Sequence, residues 1–469
     1  MMNRGSCILL FLSVWSARPS FAAERIFHTS AAGIAADGAT PVTAPLQKLL
    51  DVASAAGPAT VYLDPGQYLT GSLFIRSHTR LVIASGATIV GTTDATAYPA
   101  VQTRAAGVEM KWPAALLNVE GATNVSIEGT GTIDGNGKTW WDAFWKQVPA
   151  YESRGLRWAV DYDVQRPELI RIYNSTSVHV GRGLLLRRSA FWTVHICYSK
   201  HVTVSQVTIR NNDPVDGKGP STDGIDIDSS SHVLVDNVDI ANNDDAICLK
   251  AGMNADGLRV NRPTEDVVIQ DSIVRQGISG IAIGSDTAGG FRNIRVSGIT
   301  ILSGVRFGIY LKSTHTRGGW TQTVSFSDVH MHGVQTAIKI DLNYFPAFST
   351  PHIPKGIEKD LPPTLHDVPE YWKRLAAPVS PEKGTPHFRD ITFSKVDGEG
   401  IQTAFDLNAA QDAPMEEFVL EHVHLDALHA GSIRHTAGLR MKDVQIRATD
   451  NLREEDMQRT IGAAHMVKR

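Results

Sequence analysis

The chain has 469 residues, 40 of them glycine, and its formal net charge is −4 at pH 7. This length exceeds one ordinary domain but suits a repeat architecture, because stacked repeats contact only their neighbours and escape the usual size limit. The acidic balance argues against a nucleic-acid binder. No apolar run reaches the ~18 residues that a membrane-spanning helix needs, so no membrane partner is expected.

The N-terminus predicts an export signal. Arg4 supplies a positive start, Cys7 to Trp15 form a short apolar core, and Ser20-Phe21-Ala22 has the small–bulky–small cleavage pattern. Residues 1–22 are therefore predicted to be a signal peptide, which places the rest of the protein in the periplasm or outside the cell. A buried N-terminal strand is the alternative interpretation. Cleavage would also remove Arg4 and Arg18, which changes the formal charge from −4 to −6.

Residues 43–55 predict a short helix. Leu46, Leu49 and Leu50 have helical spacing, and Thr43 is a plausible N-cap. A strand-like run follows at Val61 to Leu63. We expect residues 23–123 to hold this helix as a cap together with the first coils of a solenoid, because an open coil exposes unpaired strand edges.

From about residue 124 a pair of alternating apolar residues recurs, and in the unbroken run from Val178 the intervals are 24 to 34 residues. Such a period indicates a solenoid, and alternation within each unit indicates strands. The main instances are Val178/Val180, Val202/Val204, Val233/Val235, Val267/Ile269, Ile294/Val296 and Val324/Phe326. A β-sandwich would show turns every 8–12 residues without this longer recurrence. The pattern predicts an all-β fold, a right-handed single-stranded parallel β-helix over 124–450, interrupted by a loop insertion at 344–389 and followed by a solvated tail at 451–469.

The acidic residues of two adjacent units suggest chemistry. Asp223 lies in the run Ser221 to Asp226, and the pair Asp244-Asp245 follows 21 residues later. One coil of a parallel β-helix stacks such positions roughly 4.8 Å apart. Carboxylates held close together are what acid/base cleavage of a glycosidic bond requires. The spacing therefore predicts a glycoside hydrolase.

Four ordered motifs carry a family resemblance. They are Ser221-Thr222-Asp223-Gly224, Asn243-Asp244-Asp245, Gly280 to Asp286 and Gly308-Ile309-Tyr310-Leu311-Lys312. In this order they resemble the boxes of glycoside hydrolase family 28, the pectin-degrading polygalacturonase and rhamnogalacturonan hydrolase family, whose members have a pectin-lyase-like β-helix. The resemblance implies an exported glycosidase that cleaves α-galacturonosidic bonds of an acidic plant cell-wall polysaccharide or its oligosaccharides.

The resemblance also assigns roles. It implies an inverting mechanism in which Asp244 is the general acid, while Asp223 and Asp245 hold and deprotonate the attacking water. Inverting enzymes usually keep these groups roughly 6.5–9.5 Å apart. Strand parity would turn Asp223 and Asp245 inward with Ile225 and Ile247, so we expect a corner just before each strand. Gly224 allows such a corner at little conformational cost because it lacks a Cβ atom.

Substrate-binding candidates follow from charge and position. The resemblance implies that Lys312 holds a galacturonate carboxylate. Weaker candidates, each with an ordinary structural interpretation beside it, are Asp226, Lys250, His195, Arg317 and Trp192. A lone cation is more often a solvated charge, and an aspartate at a corner often caps backbone N–H groups.

Two positions depart from the family pattern. Ser279 stands where the third box has His, and Tyr310 stands where the fourth box has Arg. Tyr310 offers a stacking face in place of a cation, which suits a neutral sugar such as rhamnose. These departures favour rhamnogalacturonan over homogalacturonan. His195 and His315 could partly replace the missing imidazole, although a lone His is more often structural.

Two rival interpretations remain. A polysaccharide lyase on the same fold would use Ca²⁺ with an Arg or Lys base, and an adhesin-like β-helix would bind glycans without turnover. The sequence has neither zinc-ligand spacing nor a 12-residue Ca²⁺ loop. We therefore expect no metal and no cofactor, and we expect a monomer. The sequence does not separate internal from terminal cleavage.

Overall fold

A computed structural model describes residues 25–212 and 216–469. The predicted signal peptide lies outside these residues. Nearly all described strands join in parallel pairs into one continuous coil of sheet, and one separate antiparallel hairpin stands apart from it. The protein is thus a parallel β-helix, while its handedness stays a prediction. Within the described ranges, no helix is both long and apolar enough to cross a membrane.

The strands of the first coils are short. They are β1 (Arg25–His28), β2 (Asp37–Pro41), β3 (Ala59–Leu63), β4 (Gly66–Thr70), β5 (Leu73–Ile75), β6 (Thr79–Ile83), β7 (Ala87–Gly91), β8 (Ala100–Ala105), β9 (Val108–Pro113), β10 (Leu117–Glu120), β11 (Thr123–Gly129) and β12 (Thr132–Asp134). The antiparallel hairpin is β8–β9.

The central coils repeat the same short units. They contain β13 (Ile170–Tyr173), β14 (Thr176–Gly181), β15 (Leu185–Arg187), β16 (Val194–Cys197), β17 (Lys200–Ser205), β18 (Thr208–Arg210), β19 (Ile225–Asp228), β20 (Ser231–Asp236), β21 (Asp239–Ala241) and β22 (Ile247–Lys250).

Most of the later strands run through two or three faces without a break, whereas β26, β30 and β31 each stay on one face. They are β23 (Thr264–Ile283), β24 (Phe291–Lys312), β25 (Trp320–His332), β26 (Thr336–Asp341), β27 (His387–Asn408), β28 (Met415–Ala437), β29 (Arg440–Ala448), β30 (Arg453–Gln458) and β31 (His465–Lys468). The helices are α1 (Thr43–Ala55), α2 (Lys138–Glu152), α3 (Val160–Asp163), α4 (Asn254–Val260), α5 (Pro346–Ser349), α6 (Glu370–Leu375) and α7 (Pro381–Gly384).

Each strand pairs with the equivalent strand one coil later. On one face β16 pairs with β19, β19 with β22, and β22 with the C-terminal part of β23. The same face continues through the C-terminal part of β24 to β26. We name the outer surface of these strands, from β13 to β26, the active face.

The predicted alternation fills the inside of the tube. Val202, Val204, Ile225, Ile227 and Ile247 are at most 2% exposed and belong to one continuous core cluster. Burial of such a side chain contributes about 1.5–3 kcal/mol. Corners between strands use left-handed backbone at single Asn residues, for example Asn174 and Asn237. Asn tolerates this conformation better than most residues do.

The predicted helix at 43–55 is present as α1, and its buried side chains are Leu46, Leu50 and Ala53. Its N-cap residue is Val42, without a side-chain cap bond, so the prediction of Thr43 as cap was wrong. The Thr43 hydroxyl instead accepts a hydrogen bond of 2.8 Å from the Gly71 amide. The Thr43 hydroxyl is therefore bonded to a neighbouring coil, whereas in an isolated helix it would be free to cap the N-terminus.

The C-terminal end also differs from the expectation. Residues 451–469 were predicted to be a tail, but β30 pairs with β28, and β31 pairs with β29. Their side chains are mostly exposed, which is why the charge-rich sequence resembled a solvated segment. The backbone nonetheless extends the coil, since sheet pairing needs N–H and C=O groups and not apolar side chains.

A second apolar cluster lies outside the tube. It joins the hairpin β8–β9, helices α2 and α3, Met253, Ile357, Trp372 and Leu375. We name residues 100–113, 138–164, 254–260 and 344–386 the outer layer. The predicted insertion at 344–389 corresponds to the irregular connection between β26 and β27, and it packs here.

Candidate active site

Three aspartates meet at the edge of the active face. Asp223 comes just before β19, and Asp244 and Asp245 come just before β22. The Gly224 amide donates to the Asp245 carbonyl at 3.0 Å, which locks these two corners together. The corner predicted before each strand is therefore present. One carboxylate oxygen from each aspartate lies within 4.8 Å of the others.

This spacing of oxygens is closer than the range expected for carboxyl groups of inverting enzymes, roughly 6.5–9.5 Å. A water placed about 2.8 Å from two oxygens, a usual hydrogen-bond length, can bridge oxygens up to 4.8 Å apart. The site can therefore hold one water between carboxylates. The separation does not by itself decide the stereochemical outcome.

Two ammonium groups lie among these carboxylates. Lys312 Nζ donates to Asp245 Oδ2 at 2.6 Å. Lys250 Nζ lies 3.4 Å from Asp223 Oδ2 and 3.4 Å from Asp226 Oδ1. It also lies 4.7 Å from the centre of the Trp192 ring, a cation–π contact. The cations offset the charge of the crowded acids and fix their orientation.

Burial and neighbouring charges separate the three acids. Burial raises the pKa of Asp244 well above its ordinary value, and Asp223 and Asp245 raise that pKa further. Burial also raises the pKa of Asp223, although Lys250 opposes this rise. Burial disfavours ionised Asp245 as well, yet Lys312 and Lys250 hold its pKa below the ordinary value. The arrangement therefore favours retention of the proton on Asp244 and ionisation of Asp245.

The cleft around the three acids has a volume of about 560 Å³, in the range of small-molecule sites. Predicted residues that line it are Asp223, Asp244, Asp245, Lys250, Lys312, Tyr310 and Trp192. Tyr310 donates to Asp341 Oδ2 at 3.3 Å, so its hydroxyl has a fixed direction.

Four other predicted residues do not line the cleft. Ser279, Asp226, His195 and Arg317 are all 0% exposed. Ser279 lies one coil beyond Asp245, where it lowers the pKa of that acid. Arg317 pairs with Asp286, a residue of the cleft wall. They lie behind the residues that line the cleft, so direct contact with substrate stays a prediction for each of them.

His195 shows that an outward position on a strand does not guarantee exposure. Its neighbours Val194 and Ile196 point into the tube, so His195 points outward, but the outer layer covers this part of the face. His195 Nδ1 lies 2.8 Å from Glu168 Oε1 and Nε2 lies 3.7 Å from Asp228 Oδ2. Burial opposes its charged form, yet Glu168 and Asp228 raise the pKa of His195 well above the ordinary value. His195 belongs to a buried polar network with Glu168 and Asp228.

Sequence reasoning missed several residues of the cleft. Arg306, Phe307, Lys339 and Asp341 continue the active face, and Arg157, Asp161, Tyr344, Phe345 and Phe348 come from the outer layer. Lys339 could have been found, since it pairs in register with Tyr310 on the next coil. The aromatic residues of 344–348 gave no periodic signal.

The comparisons with known proteins agree with this geometry. A family model described as glycosyl hydrolases family 28 matches residues 77–360. The chain belongs to this family. The resemblance that the four motifs carry is thereby confirmed, and family 28 is a family of glycosidases.

Curated relatives share part of their length with this family 28 chain. A probable polygalacturonase of Vitis vinifera is 29% identical over 58% of this chain and 55% of its own length. An exo-poly-alpha-D-galacturonosidase of Dickeya chrysanthemi is 23% identical over 69% and 58%. The matched region thus spans less than two thirds of these relatives. An endo-polygalacturonase of Pectobacterium parmentieri is 26% identical over 73% and 82%.

Solved structures share the fold. An exopolygalacturonase from Thermotoga maritima superposes with a TM-score of 0.68 at 21% identity, covering 92% of each chain. A family 28 exopolygalacturonase from Yersinia enterocolitica gives a TM-score of 0.73 at 20% identity, covering 94% of this chain and 78% of the other. These similarities support the parallel β-helix fold.

Proposed function

We propose that the protein is an inverting glycosidase that hydrolyses α-galacturonosidic bonds in the pectin backbone. The observation that carries this proposal is the group formed by Asp223, Asp244 and Asp245 in one cleft, with Lys250 and Lys312 between them. It combines an acid whose pKa is raised, an acid whose pKa is lowered, and cations that suit an acidic sugar. Membership of family 28 supports the same reaction class.

In the proposed reaction Asp244 gives its proton to the glycosidic oxygen, and the bond from that oxygen to the anomeric carbon breaks. Water attacks the anomeric carbon from the opposite face, and its proton passes to Asp245, with Asp223 holding the water. The products are a hemiacetal and a free sugar hydroxyl. The high pKa of Asp244 and the low pKa of Asp245 suit these assignments.

The charge of the cleft favours uronates on both sides of Tyr310. Lys312 lies on the same strand, and Lys339 Nζ lies 5.7 Å from the centre of the Tyr310 ring on the next coil. Arg306 lines the same region and is exposed. Although this chain has Tyr310 where the family pattern has Arg, other cations therefore lie close to this position. We therefore propose polygalacturonate as the first substrate to test, with rhamnogalacturonan as the alternative.

A metal-dependent lyase is the main rival. The three carboxylates are spaced so that they could hold a cation. However, Lys312 and Lys250 already bring two positive charges to these oxygens, and a divalent ion would meet their repulsion. We propose that hydrolysis proceeds without a metal. Unsaturated products that absorb in the ultraviolet would favour the lyase.

Location and partner belong to the same proposal. An acidic plant polysaccharide lies outside bacterial and fungal cytoplasm, so we propose that the protein is exported and acts as a monomer. The observation behind export is the sequence of residues 1–22. Mass spectrometry of the N-terminus of the mature protein checks cleavage after Ala22.

The decisive experiment follows the first-formed products. The protein is incubated with homogalacturonan and rhamnogalacturonan oligosaccharides, and proton NMR identifies the anomer that appears first. Inversion gives the β-anomer from an α-linked substrate. An α-anomer would contradict inversion, and glycan binding without any turnover would support the adhesin-like interpretation.

A further inference from the structure

The cleft is closed at the end that faces the N-terminal coils. We propose that it is a blind pocket and that the enzyme removes units from the end of a uronate chain instead of cutting inside it. This inference rests on the proposed hydrolytic function and specifies how the substrate enters. It depends on how parts of the outer layer meet in front of the active face.

Two long segments leave the active face at opposite edges. Residues 138–164 lie between β12 and β13, in the connection that enters the face, whereas residues 344–386 lie between β26 and β27, in the connection that leaves it. Arg157 and Phe345, one from each segment, both line the cleft. Segments that start at opposite edges and both border the cleft can touch only by crossing in front of the sheet.

These two segments do touch, through large buried side chains. The rings of Trp158 and Trp372 are 5.1 Å apart, edge to face. Asp163 accepts hydrogen bonds from Tyr371 Oη at 2.5 Å and from Trp372 Nε1 at 3.0 Å. Such a contact, with buried aromatic rings and a shared acceptor, is stable packing and not a loose loop tip.

The contact between these two segments extends to the cleft. The Arg157 guanidinium lies 5.8 Å from the centre of the Phe345 ring and 6.0 Å from that of Phe348. Arg157 also donates to Asp161 Oδ2 at 2.6 Å. All four side chains belong to the wall of the cleft that contains Asp223. The wall therefore stands close to the reacting groups.

The hairpin β8–β9 covers the active face on the N-terminal side of this wall. Its turn residue Gly107 accepts a hydrogen bond of 3.1 Å from the Met253 amide, beside α4, which leaves the face at the opposite edge. A Cβ atom at Gly107 would lie 2.7 Å from the Met253 Cβ, so the approach is tight. Beneath the hairpin, buried Arg104 donates to Asp228 of β19 at 2.7 Å. The outward residues Arg171, His195 and Asp226 of these coils are at most 1% exposed, so this part of the face is covered.

The opposite end of the cleft is open. Arg306 is exposed and Lys339 is partly exposed, and both line the cleft on the side of the C-terminal coils. A polymer bound across the three acids can thus leave in one direction only. The geometry admits a chain terminus and excludes the middle of a long chain.

The test uses oligogalacturonates with chemically blocked ends. One substrate carries a 4,5-unsaturated non-reducing end, and the other has its reducing end reduced to the alditol. We expect one of the two blocks, and not the other, to lower the rate by at least about tenfold, since a terminus that does not fit the pocket cannot reach the acids. Equal rates on both substrates and on the unblocked chain would overturn the blind pocket.

Polymer viscosity gives a second readout. Terminal cleavage releases many reducing ends before the viscosity of polygalacturonate falls, whereas internal cleavage lowers viscosity at once. A variant with Arg157→Ala and Phe345→Ala opens the wall, and we expect viscosity to fall several-fold more per bond cleaved. Trp320→Ala is the matched control, because Trp320 is a similarly exposed ring that does not line the cleft.

The outcomes separate the two proposals. Hydrolysis with early loss of viscosity in the unmodified protein overturns the blind pocket and leaves the proposed hydrolase standing. Failure to hydrolyse any uronate polymer or oligomer overturns both. An unchanged pattern in the double variant, with circular dichroism equal to that of the Trp320→Ala control, contradicts closure by Arg157 and Phe345.

Discussion

The tube and the outer layer of this protein are held together by different kinds of contact. In the tube each strand pairs with its equivalent one coil later, so Ile225 stacks on Ile247 and Asp223 meets Asp245 through the same repeat. In the outer layer Trp158 contacts Trp372, a residue more than 200 positions away, with no repeat at all. The tube holds the acids, and the outer layer determines which substrates reach them.

The largest expected effect tests whether the tube alone carries the chemistry. Asp244→Asn removes the proposed proton donor and leaves the size of the side chain unchanged. We expect turnover to fall by about 10²–10⁴-fold, the usual contribution of a general acid. Binding of oligogalacturonate, measured by calorimetry, should persist, and so should the melting temperature. Retained turnover would remove Asp244 from its role.

The second test compares the stability of the two regions. Ile227→Ala in the tube and Trp372→Ala in the outer layer each leave a cavity, and each should cost about 2–5 kcal/mol. We expect the Ile227 change to weaken hydrogen-exchange protection along the coil. The Trp372 change should weaken it only in residues 138–164 and 344–386, because locally cooperative units open separately. Loss of protection throughout the tube in both variants would mean that the regions unfold as one unit.

Lys312→Met tests whether this lysine binds a uronate substrate and holds down the pKa of Asp245. Lys312 is paired with Asp245 at 2.6 Å and lines the cleft. Loss of a charged hydrogen bond typically costs about 1.5–3 kcal/mol, so KM for a uronate substrate should rise roughly ten- to hundredfold. The pKa of Asp245 should also rise, which moves the acidic limb of the rate profile to higher pH. Lys138→Met, an exposed lysine outside the cleft, is the control.

The pH dependence of the unmodified enzyme follows from the same charges. The base Asp245 must be ionised, and its pKa is lowered, so activity is lost only as pH falls below the ordinary range of Asp. The acid Asp244 must be protonated, and its pKa is raised, so activity is lost as pH rises through that raised value. We expect a bell-shaped profile of kcat/KM with its maximum between these limits. A rate that is flat from about pH 4 to 9 contradicts this assignment.

The smallest expected effect concerns metal removal. Dialysis against EDTA should leave the rate on polygalacturonate unchanged, because Lys250 and Lys312 supply the positive charge beside the acids. The control is the same preparation with added Ca²⁺. A loss of activity that Ca²⁺ restores would support the lyase interpretation.

Alternation and period predicted the β-helix, and the parity of Ile225 and Ile247 predicted the corner that turns Asp223 and Asp245 outward. His195 and Asp226 also lie on the outward side of their strands, since their neighbours Val194 and Ile225 point into the tube, yet both are 0% exposed. Parity tells which side of a strand a residue occupies and not what covers that side.

The sequence by itself determined the repeat, the motif order that identifies family 28 and the three acids, because each depends on neighbours at fixed spacing along the chain. Only the tertiary structure decided which outward residues stay accessible, that Lys339 lies beside Tyr310, and that the cleft is walled off at one end. Those features depend on contacts between distant segments of irregular length, and such contacts leave no period in the sequence.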